Sequence, residues 1–216
     1  MAKVNDIRRF VEFGKKIVAC GRNYQAHAKE FNQDVLPEPL LFLKPTTSYL
    51  REGGSIIYPP KCTELHYEVE LAVVINKGGS KIAEPSAMDH VGGYALALDM
   101  TSRNQQLDAK KNGWPWSVCK GYDTFLPISD FIAKEKIDPF NTNLWLKVDG
   151  ETRQNGNTKD MVFNVPFLVS YISNIFTLEE GDIILTGTPS GVGPVNRGQT
   201  ITAGIEGVLE MKFPVA

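Results

Sequence analysis

The fold is decided by LHYEVELAVVI, residues 65–75 of a chain of 216 residues. Apolar residues occupy every second position from Leu65 to Ile75, which is the period-two pattern of a β-strand. The positions between them begin with His66, Glu68 and Glu70 and then become small or apolar. The pattern therefore predicts a strand with one wholly apolar face and two carboxylates on the other face.

The segments around this stretch extend the β pattern. A second apolar run at 91–98 leads directly into Asp99, and an Asp149-Gly150 pair between two extended runs is typical of a two-residue hairpin turn. Further strands are predicted at 183–185 and in the residues that follow the glycine-rich loop 186–193. The predicted helices lie at 24–31, at 105–112 and, with Asn164 as N-cap, at 167–176. The sequence therefore predicts a mostly β fold with a few peripheral helices.

Composition excludes several classes of protein. The formal net charge is −2 with no basic block, so we expect no nucleic-acid partner. No apolar run approaches the roughly 20 residues of a membrane helix, and the N-terminus lacks the apolar core of a secretory signal. We therefore expect no membrane partner, a cytoplasmic location, and reduced thiols at Cys20, Cys62 and Cys119. The length predicts a single catalytic domain over 1–216, with 1–15 as an N-terminal extension.

The carboxylates are the first candidates for chemistry. Glu68 and Glu70 lie two apart in an extended strand and so point to one side, and Asp99 ends a second buried strand. Oxygen ligands of this kind suit Mg²⁺ or Mn²⁺. The spacing alone also fits a solvent-exposed Glu-x-Glu on an edge strand together with a turn aspartate.

Other residues are candidates for proton transfer or substrate binding. His27 and Glu30 share one face of a short helix and fit a water-activating pair, although the spacing also fits an ordinary surface pair. Lys120 follows an aromatic stretch and fits a fixed positive charge for a substrate carboxylate. The loop 186–193 lacks the Gly-Lys-Ser/Thr of a P-loop, but its amides and Thr188 fit a carboxylate.

Five motifs in order resemble the fumarylacetoacetate hydrolase family, most closely its small single-domain acylpyruvase branch. The resemblance runs from about Lys16 to Phe213. The motifs are GRNYQAH at 21–27 with Glu30, LFLKP at 41–45, HYEVEL at 66–71, DMTSR at 99–103 and LTGTP at 185–189.

The resemblance implies a mixed β-roll and a homodimer. It also implies Mg²⁺ or Mn²⁺ on Glu68, Glu70 and Asp99, and a lid helix that carries His27 and Glu30, with 31–39 as its mobile flank. The site residues that the resemblance implies are Lys120 as a catalytic group beside His27 and Glu30, and Arg103, Gln106 and Thr188 around the substrate.

The activity implied is hydrolysis of the C–C bond of acylpyruvates, small 2-oxo acids, to pyruvate and a carboxylic acid through a metal-bound enolate. An oxaloacetate decarboxylase, which passes through the same enolate, or an oxaloacetate tautomerase, which needs only the metal and a proton shuttle, is the alternative within this scaffold. A hydratase or isomerase of aromatic-acid catabolism is a further alternative, as is a metal-bearing binding protein that has lost catalysis.

Overall fold

The computed structural model describes residues 5–30 and 36–216, apart from the side chains of residues 27–29. Within these residues the chain forms fifteen β-strands and five α-helices. The strands are β1 (Ile17–Gly21), β2 (Leu40–Lys44), β3 (Tyr49–Leu50), β4 (Leu65–Tyr67), β5 (Val69–Ile75), β6 (Val91–Leu98), β7 (Thr101–Ser102), β8 (Leu126–Pro127), β9 (Ile132–Ala133), β10 (Asn143–Val148), β11 (Glu151–Asn157), β12 (Ile183–Leu185), β13 (Gly193–Val195), β14 (Thr200–Ile205) and β15 (Leu209–Pro214). The helices are α1 (Phe10–Phe13), α2 (Gln25–Glu30), α3 (Arg103–Asn112), α4 (Ser117–Lys120) and α5 (Val165–Ile175). The mostly β fold with a few peripheral helices is confirmed.

The central feature is a mixed six-stranded sheet with the strand order β2-β1-β12-β5-β6-β9. β5 pairs antiparallel with β6 and with β12, and β1 pairs parallel with β12. These directions place the start of β5 beside the ends of β1, β6 and β12. A second, wholly antiparallel sheet has the order β11-β10-β14-β15. In the central sheet, the start of β5 and the ends of β1, β6 and β12 therefore lie together at one edge.

The stretch 65–75 forms two strands rather than the single strand predicted, because β4 and β5 belong to different sheets. β4 pairs with β7 and β13, whereas β5 lies inside the six-stranded sheet. Glu68 separates them, and the Val69 amide after it donates a hydrogen bond to the side-chain oxygen of Gln154 (3.0 Å). Both segments stay extended across the break, so the period-two pattern continues and gives no sign of it.

β5 is buried on both faces. Its odd-numbered residues pack into the larger of two apolar clusters, and the even-numbered Ala72 and Val74 pack into the smaller one. The strand is interior, between β12 and β6. The side that carries Glu68 and Glu70 is therefore also interior, which excludes the exposed edge-strand alternative.

Several local predictions are confirmed. β6 covers 91–98, and Asp149 and Gly150 have the positive φ angles (49° and 85°) of the predicted hairpin turn. Asn164 caps α5 by accepting a hydrogen bond from the amide of Phe167. The three cysteines are free and buried.

Other elements differ from the predictions. α3 begins at Arg103, two residues earlier than predicted, and ends at Asn112, where Gly113 with a φ of 70° caps it. β1, β2 and α4 were not predicted, because each spans only four or five residues and lacks a clear period. In the described part of the chain, no helix is long and apolar enough to cross a membrane.

Candidate active site

Three buried carboxylates meet at one edge of the central sheet. Glu68 precedes β5, Glu70 is the second residue of β5, and Asp99 follows β6. They are 6%, 2% and 1% exposed, and carboxylate oxygens of all three lie within 4.8 Å of one another. The antiparallel pairing of Val69 with Leu98 explains the convergence, because it places the residue before β5 beside the residue after β6.

The loop after β12 closes the site around Glu70. The Gly187 amide donates to Glu70 Oε2 (2.7 Å), and the Thr188 hydroxyl donates to the Val69 carbonyl (2.9 Å). Gly187 has a φ of 91°, and a Cβ there would lie 2.7 Å from the Cβ of Asn23. Only glycine fits this close approach, which brings an amide donor to the carboxylate.

Two buried lysines lie against the acids. Lys120 Nζ donates to Glu68 Oε2 (2.8 Å) and to Asp99 Oδ2, and Lys44 Nζ donates to Asp99 Oδ1 (2.7 Å). Burial alone would lower the pKa of Lys120, but the attraction of Asp99 and Glu68 outweighs burial and raises that pKa above its usual value. For Lys44, burial is the larger effect and lowers the pKa. Lys120 is therefore the more firmly charged of the two.

Arg103 organises the other side of Glu68. Its guanidinium donates to Glu68 Oε1 (2.9 Å), to the side-chain oxygen of Gln106, and to His66 Nδ1 (3.2 Å). Burial and the charge of Arg103 lower the pKa of His66. His66 therefore acts as a neutral acceptor that orients Arg103.

These side chains line one cleft, whose empty volume is about 450 Å³ including space open to solvent. The cleft contains the three acids, four cationic side chains and a wall of two aromatic rings. Its lining is Cys20, Gly21, Arg22, Phe42, Glu68, Glu70, Asp99, Arg103, Gln106, Lys110, Trp116, Lys120 and Thr188.

Glu70 indicates what the acid cluster could hold. Salt bridges connect Glu68 and Asp99 to cations, but no Lys, Arg or His of the described residues forms one with Glu70. Burial, with repulsion from Asp99 and Glu68, holds the pKa of Glu70 well above its usual value. A divalent cation would offset this repulsion, and three carboxylates are the ligands that Mg²⁺ and Mn²⁺ prefer. The donor set therefore fits a divalent metal ion.

α2 carries the predicted proton-transfer pair. The Glu30 carboxylate accepts hydrogen bonds from the Gly191 amide (3.1 and 3.2 Å), and Gly191 lies three residues beyond Thr188 in the loop that lines the cleft. Glu30 is therefore beside the cleft. The side chain of His27 and residues 31–35 of the predicted lid flank lie outside the described residues.

Seven of the nine predicted site residues line the cleft: Glu68, Glu70, Asp99, Arg103, Gln106, Lys120 and Thr188. Sequence reasoning missed Lys44 and Gln154. Lys44 ends the apolar run of β2, and that single charge is a signal that could have found it. Gln154 donates to Thr188 Oγ1 (2.8 Å) and supports the loop, but nothing in its local pattern distinguishes it from neighbouring polar residues.

Known proteins resemble this chain closely. Residues 16–216 match the family model described as fumarylacetoacetate (FAA) hydrolase C-terminal. The mitochondrial oxaloacetate tautomerase FAHD1 of Arabidopsis thaliana is 59% identical over 97% of this chain and 94% of that protein. The mitochondrial oxaloacetate decarboxylase of Dictyostelium discoideum is 57% identical over 97% of each chain. A crystal structure of fumarylpyruvate hydrolase from Pseudomonas aeruginosa with Mn²⁺ and pyruvate has a TM-score of 0.89 at 37% identity, over 94% of this chain and 90% of that chain.

The relatives correct one expectation. Both curated relatives are mitochondrial, so the expected cytoplasmic location is wrong. That expectation rested on the lack of a secretory segment, and this criterion does not detect mitochondrial targeting segments, which are amphipathic and rich in Arg and Ser. The homodimer and the single domain over 1–216 stay predictions.

Proposed function

Because the chain belongs to the fumarylacetoacetate hydrolase family, a family of enzymes, we propose that it interconverts the enol and keto forms of oxaloacetate. The acylpyruvate hydrolysis expected from the sequence is not confirmed, and the oxaloacetate alternative fits the relatives more closely. The observation that carries the proposal is the cleft, where a buried acid cluster fit for a divalent cation lies among four cationic side chains. Such a cleft suits a small dianion that chelates a metal.

Glu68, Glu70 and Asp99 are proposed to hold Mg²⁺ or Mn²⁺. Their burial and convergence support this assignment, as does the Mn²⁺ in the Pseudomonas relative. When bound, the cation would polarise the 2-oxo group of the substrate and make its C3 protons more acidic. Arg103, Gln106 and Thr188 are proposed to bind the 1-carboxylate and the 2-oxo oxygen.

The chain's own groups are proposed to move the proton. From keto to enol, a base removes a proton from C3, the electron pair forms the C2=C3 bond, and the 2-oxo oxygen takes up a proton. Lys120 stabilises negative charge on that oxygen. Glu30 with His27 exchanges the proton, and the contact of Glu30 with the cleft loop supports this role. Cys20 also lines the cleft, but burial and the charge of Glu70 raise the pKa of its thiol, which disfavours it as the base.

Decarboxylation is the second candidate. The 57% identical relative from Dictyostelium is an oxaloacetate decarboxylase. Loss of a C3 proton leaves the enolate of oxaloacetate, whereas loss of CO₂ from C4 leaves the enolate of pyruvate. Protonation of that enolate at C3 then gives pyruvate. The two reactions need the same groups around the 2-oxo acid and differ in the bond that breaks.

The test follows the enol absorbance of freshly dissolved oxaloacetate together with pyruvate release, in the presence of Mg²⁺ or Mn²⁺. We expect the protein to accelerate decay of the enol absorbance with little pyruvate formed, and EDTA to abolish the acceleration. Pyruvate released in proportion to oxaloacetate consumed would assign decarboxylation instead. Acetate released from acetylpyruvate would restore the hydrolase assignment.

Replacement of Glu30 by glutamine tests the proton-transfer role. Glutamine keeps an acceptor for the Gly191 amide but cannot take up a proton. We expect kcat/KM to fall by about 10²-fold or more, while stabilisation by Mn²⁺ stays as in the wild type. Glu84→Gln, at an exposed glutamate that does not line the cleft, is the matched control and should leave both unchanged. Wild-type turnover in Glu30→Gln would remove Glu30 from the proposal.

A further inference from the structure

The outer part of the cleft carries two cationic side chains, Arg22 and Lys110, that form no salt bridge with any described residue. Arg22 follows β1, and its Nε is buried without a hydrogen-bond partner in the described part of the chain. Lys110 lies in the last turn of α3 and is exposed at the mouth of the cleft. The other two cations of the lining, Arg103 and Lys120, both form salt bridges with Glu68.

An aromatic wall connects the inner lysine to the outer one. Lys120 Nζ lies 5.0 Å from the centre of the Phe42 ring, and Lys110 Nζ lies 5.5 Å from the centre of the Trp116 ring. The two ring centres are 5.4 Å apart. The two ammonium groups therefore lie near different rings of one aromatic pair that lines the cleft.

The positions of Arg22 and Lys110 are energetically unfavourable without a bound anion. Burial and the positive charges of Arg103 and Arg22 lower the pKa of Lys110, so the like charges face one another. Arg22 also has a φ of 59°, a left-handed conformation that is uncommon for residues with side chains. Like charges held together in a partly buried cleft are unfavourable unless an anion joins them. The arrangement is that of a site for a carboxylate.

We propose that Arg22 and Lys110 bind the distal carboxylate, C4, of a four-carbon 2-oxo dicarboxylate. The inference rests on the proposed function, which assigns the other end of the same ligand to the acids and Lys120. Three C–C bonds of about 1.5 Å separate the two carboxylate carbons. Hydrogen bonds of about 2.8 Å extend the reach at each end along the aromatic wall. A monocarboxylate such as pyruvate leaves Arg22 and Lys110 without an anion, so the pair selects dicarboxylates.

The proposed contact of Arg22 and Lys110 with the C4 carboxylate also decides which bond to C3 breaks. In tautomerisation the electron pair of the broken C3–H bond forms the enolate of oxaloacetate and the proton goes to the base. The C4 carboxylate keeps its negative charge. In decarboxylation the electron pair of the broken C3–C4 bond forms the enolate of pyruvate, and C4 leaves as neutral CO₂. C3 then takes up a proton to give pyruvate. Cations bound at C4 oppose the second route, because the charge that they stabilise is withdrawn in its transition state. Arg22 and Lys110 therefore favour tautomerisation.

The test compares Lys110→Gln and Arg22→Gln with two controls. Lys111→Gln removes the neighbouring exposed lysine of α3, which does not line the cleft, and Lys110→Arg keeps the charge. Three quantities are measured with Mn²⁺ present: kcat and KM for oxaloacetate tautomerisation, pyruvate formed per tautomerisation, and inhibition by oxalate. Oxalate has two carbons and reaches only the inner end of the cleft.

We expect KM for oxaloacetate to rise roughly 10-fold to 100-fold in Lys110→Gln and Arg22→Gln, with a higher yield of pyruvate and an unchanged inhibition constant for oxalate. Lys111→Gln should resemble the wild type, and Lys110→Arg, which keeps the charge, should have a KM for oxaloacetate closer to the wild-type value than that of Lys110→Gln. An equal loss of oxalate and oxaloacetate binding, or a wild-type KM in both glutamine variants, overturns the inference alone. Wild-type protein without any turnover of oxaloacetate overturns the proposed function, and the inference with it.

Discussion

Replacement of Lys120 by methionine is expected to lower kcat/KM for oxaloacetate by about 10²–10³-fold, the usual effect of removing one group that stabilises a developing oxyanion. The proposal assigns Lys120 to the charge that forms on the 2-oxo oxygen. Methionine has a similar length and fills the same space without a charge or a donor. The measurement is steady-state tautomerisation at saturating Mn²⁺.

Metal binding should survive this change. Lys120 Nζ donates to Glu68 and Asp99, so its removal frees one oxygen of each for a cation. Breaking buried ion pairs costs about 3–5 kcal/mol, and we expect Tm of the metal-free variant to fall by about 10 °C. Mn²⁺ should then raise Tm at least as much as in the wild type. Lys111→Met, at an exposed position, should behave as the wild type, and a Lys120→Met variant with a tenth of wild-type activity would contradict the role.

The fold could be predicted where one local pattern decides it. Alternation over 65–75 and the apolar run at 91–98 indicate buried strands, and the Asp149-Gly150 turn fixes a hairpin without information from elsewhere in the chain. A local pattern does not predict which sheet a strand joins, because that depends on partner strands that are distant in sequence. Leu65 to Ile75 therefore reads as one strand although it contributes to two sheets.

In the candidate site too, local patterns placed some residues, whereas the position of others depends on packing. Glu68, Glu70 and Asp99 could be placed together because each lies within a predicted strand or directly next to one. Lys120 was expected to face a substrate carboxylate, but its position on α4 brings it against Glu68 and Asp99. Such a contact depends on the packing of a four-residue helix, which no period in the sequence reveals. Lys44 was missed for the same reason, since its partner Asp99 is 55 residues away.

Replacement of Glu70 by glutamine should change stability and function in opposite directions. Glutamine keeps an oxygen for the Gly187 amide but carries no charge, so it removes the repulsion from Asp99 and Glu68. We expect Tm of the metal-free protein to rise at pH 8, by about 4–8 °C for a gain on the order of 2 kcal/mol. Stabilisation by Mn²⁺ should be lost, and tautomerisation should fall at least 10³-fold because a ligand of the proposed metal ion is gone.

The pH dependence distinguishes this explanation from a general gain in packing. The folded-state pKa of Glu70 lies above its unfolded value, so the folded chain binds this proton more tightly than the unfolded chain does. The contribution of Glu70 to the free energy of unfolding is therefore fully present below about pH 4.5 and is lost as the pH rises through the folded-state pKa. The Tm difference between Glu70→Gln and the wild type, both in EDTA, should be small at pH 5 and should widen towards pH 8. Mn²⁺ added to the wild type at pH 8 should close that difference, because cation binding keeps Glu70 ionised without the repulsion. A difference in Tm that is the same at pH 5 and pH 8 would show that the charge of Glu70 carries no penalty in the metal-free protein.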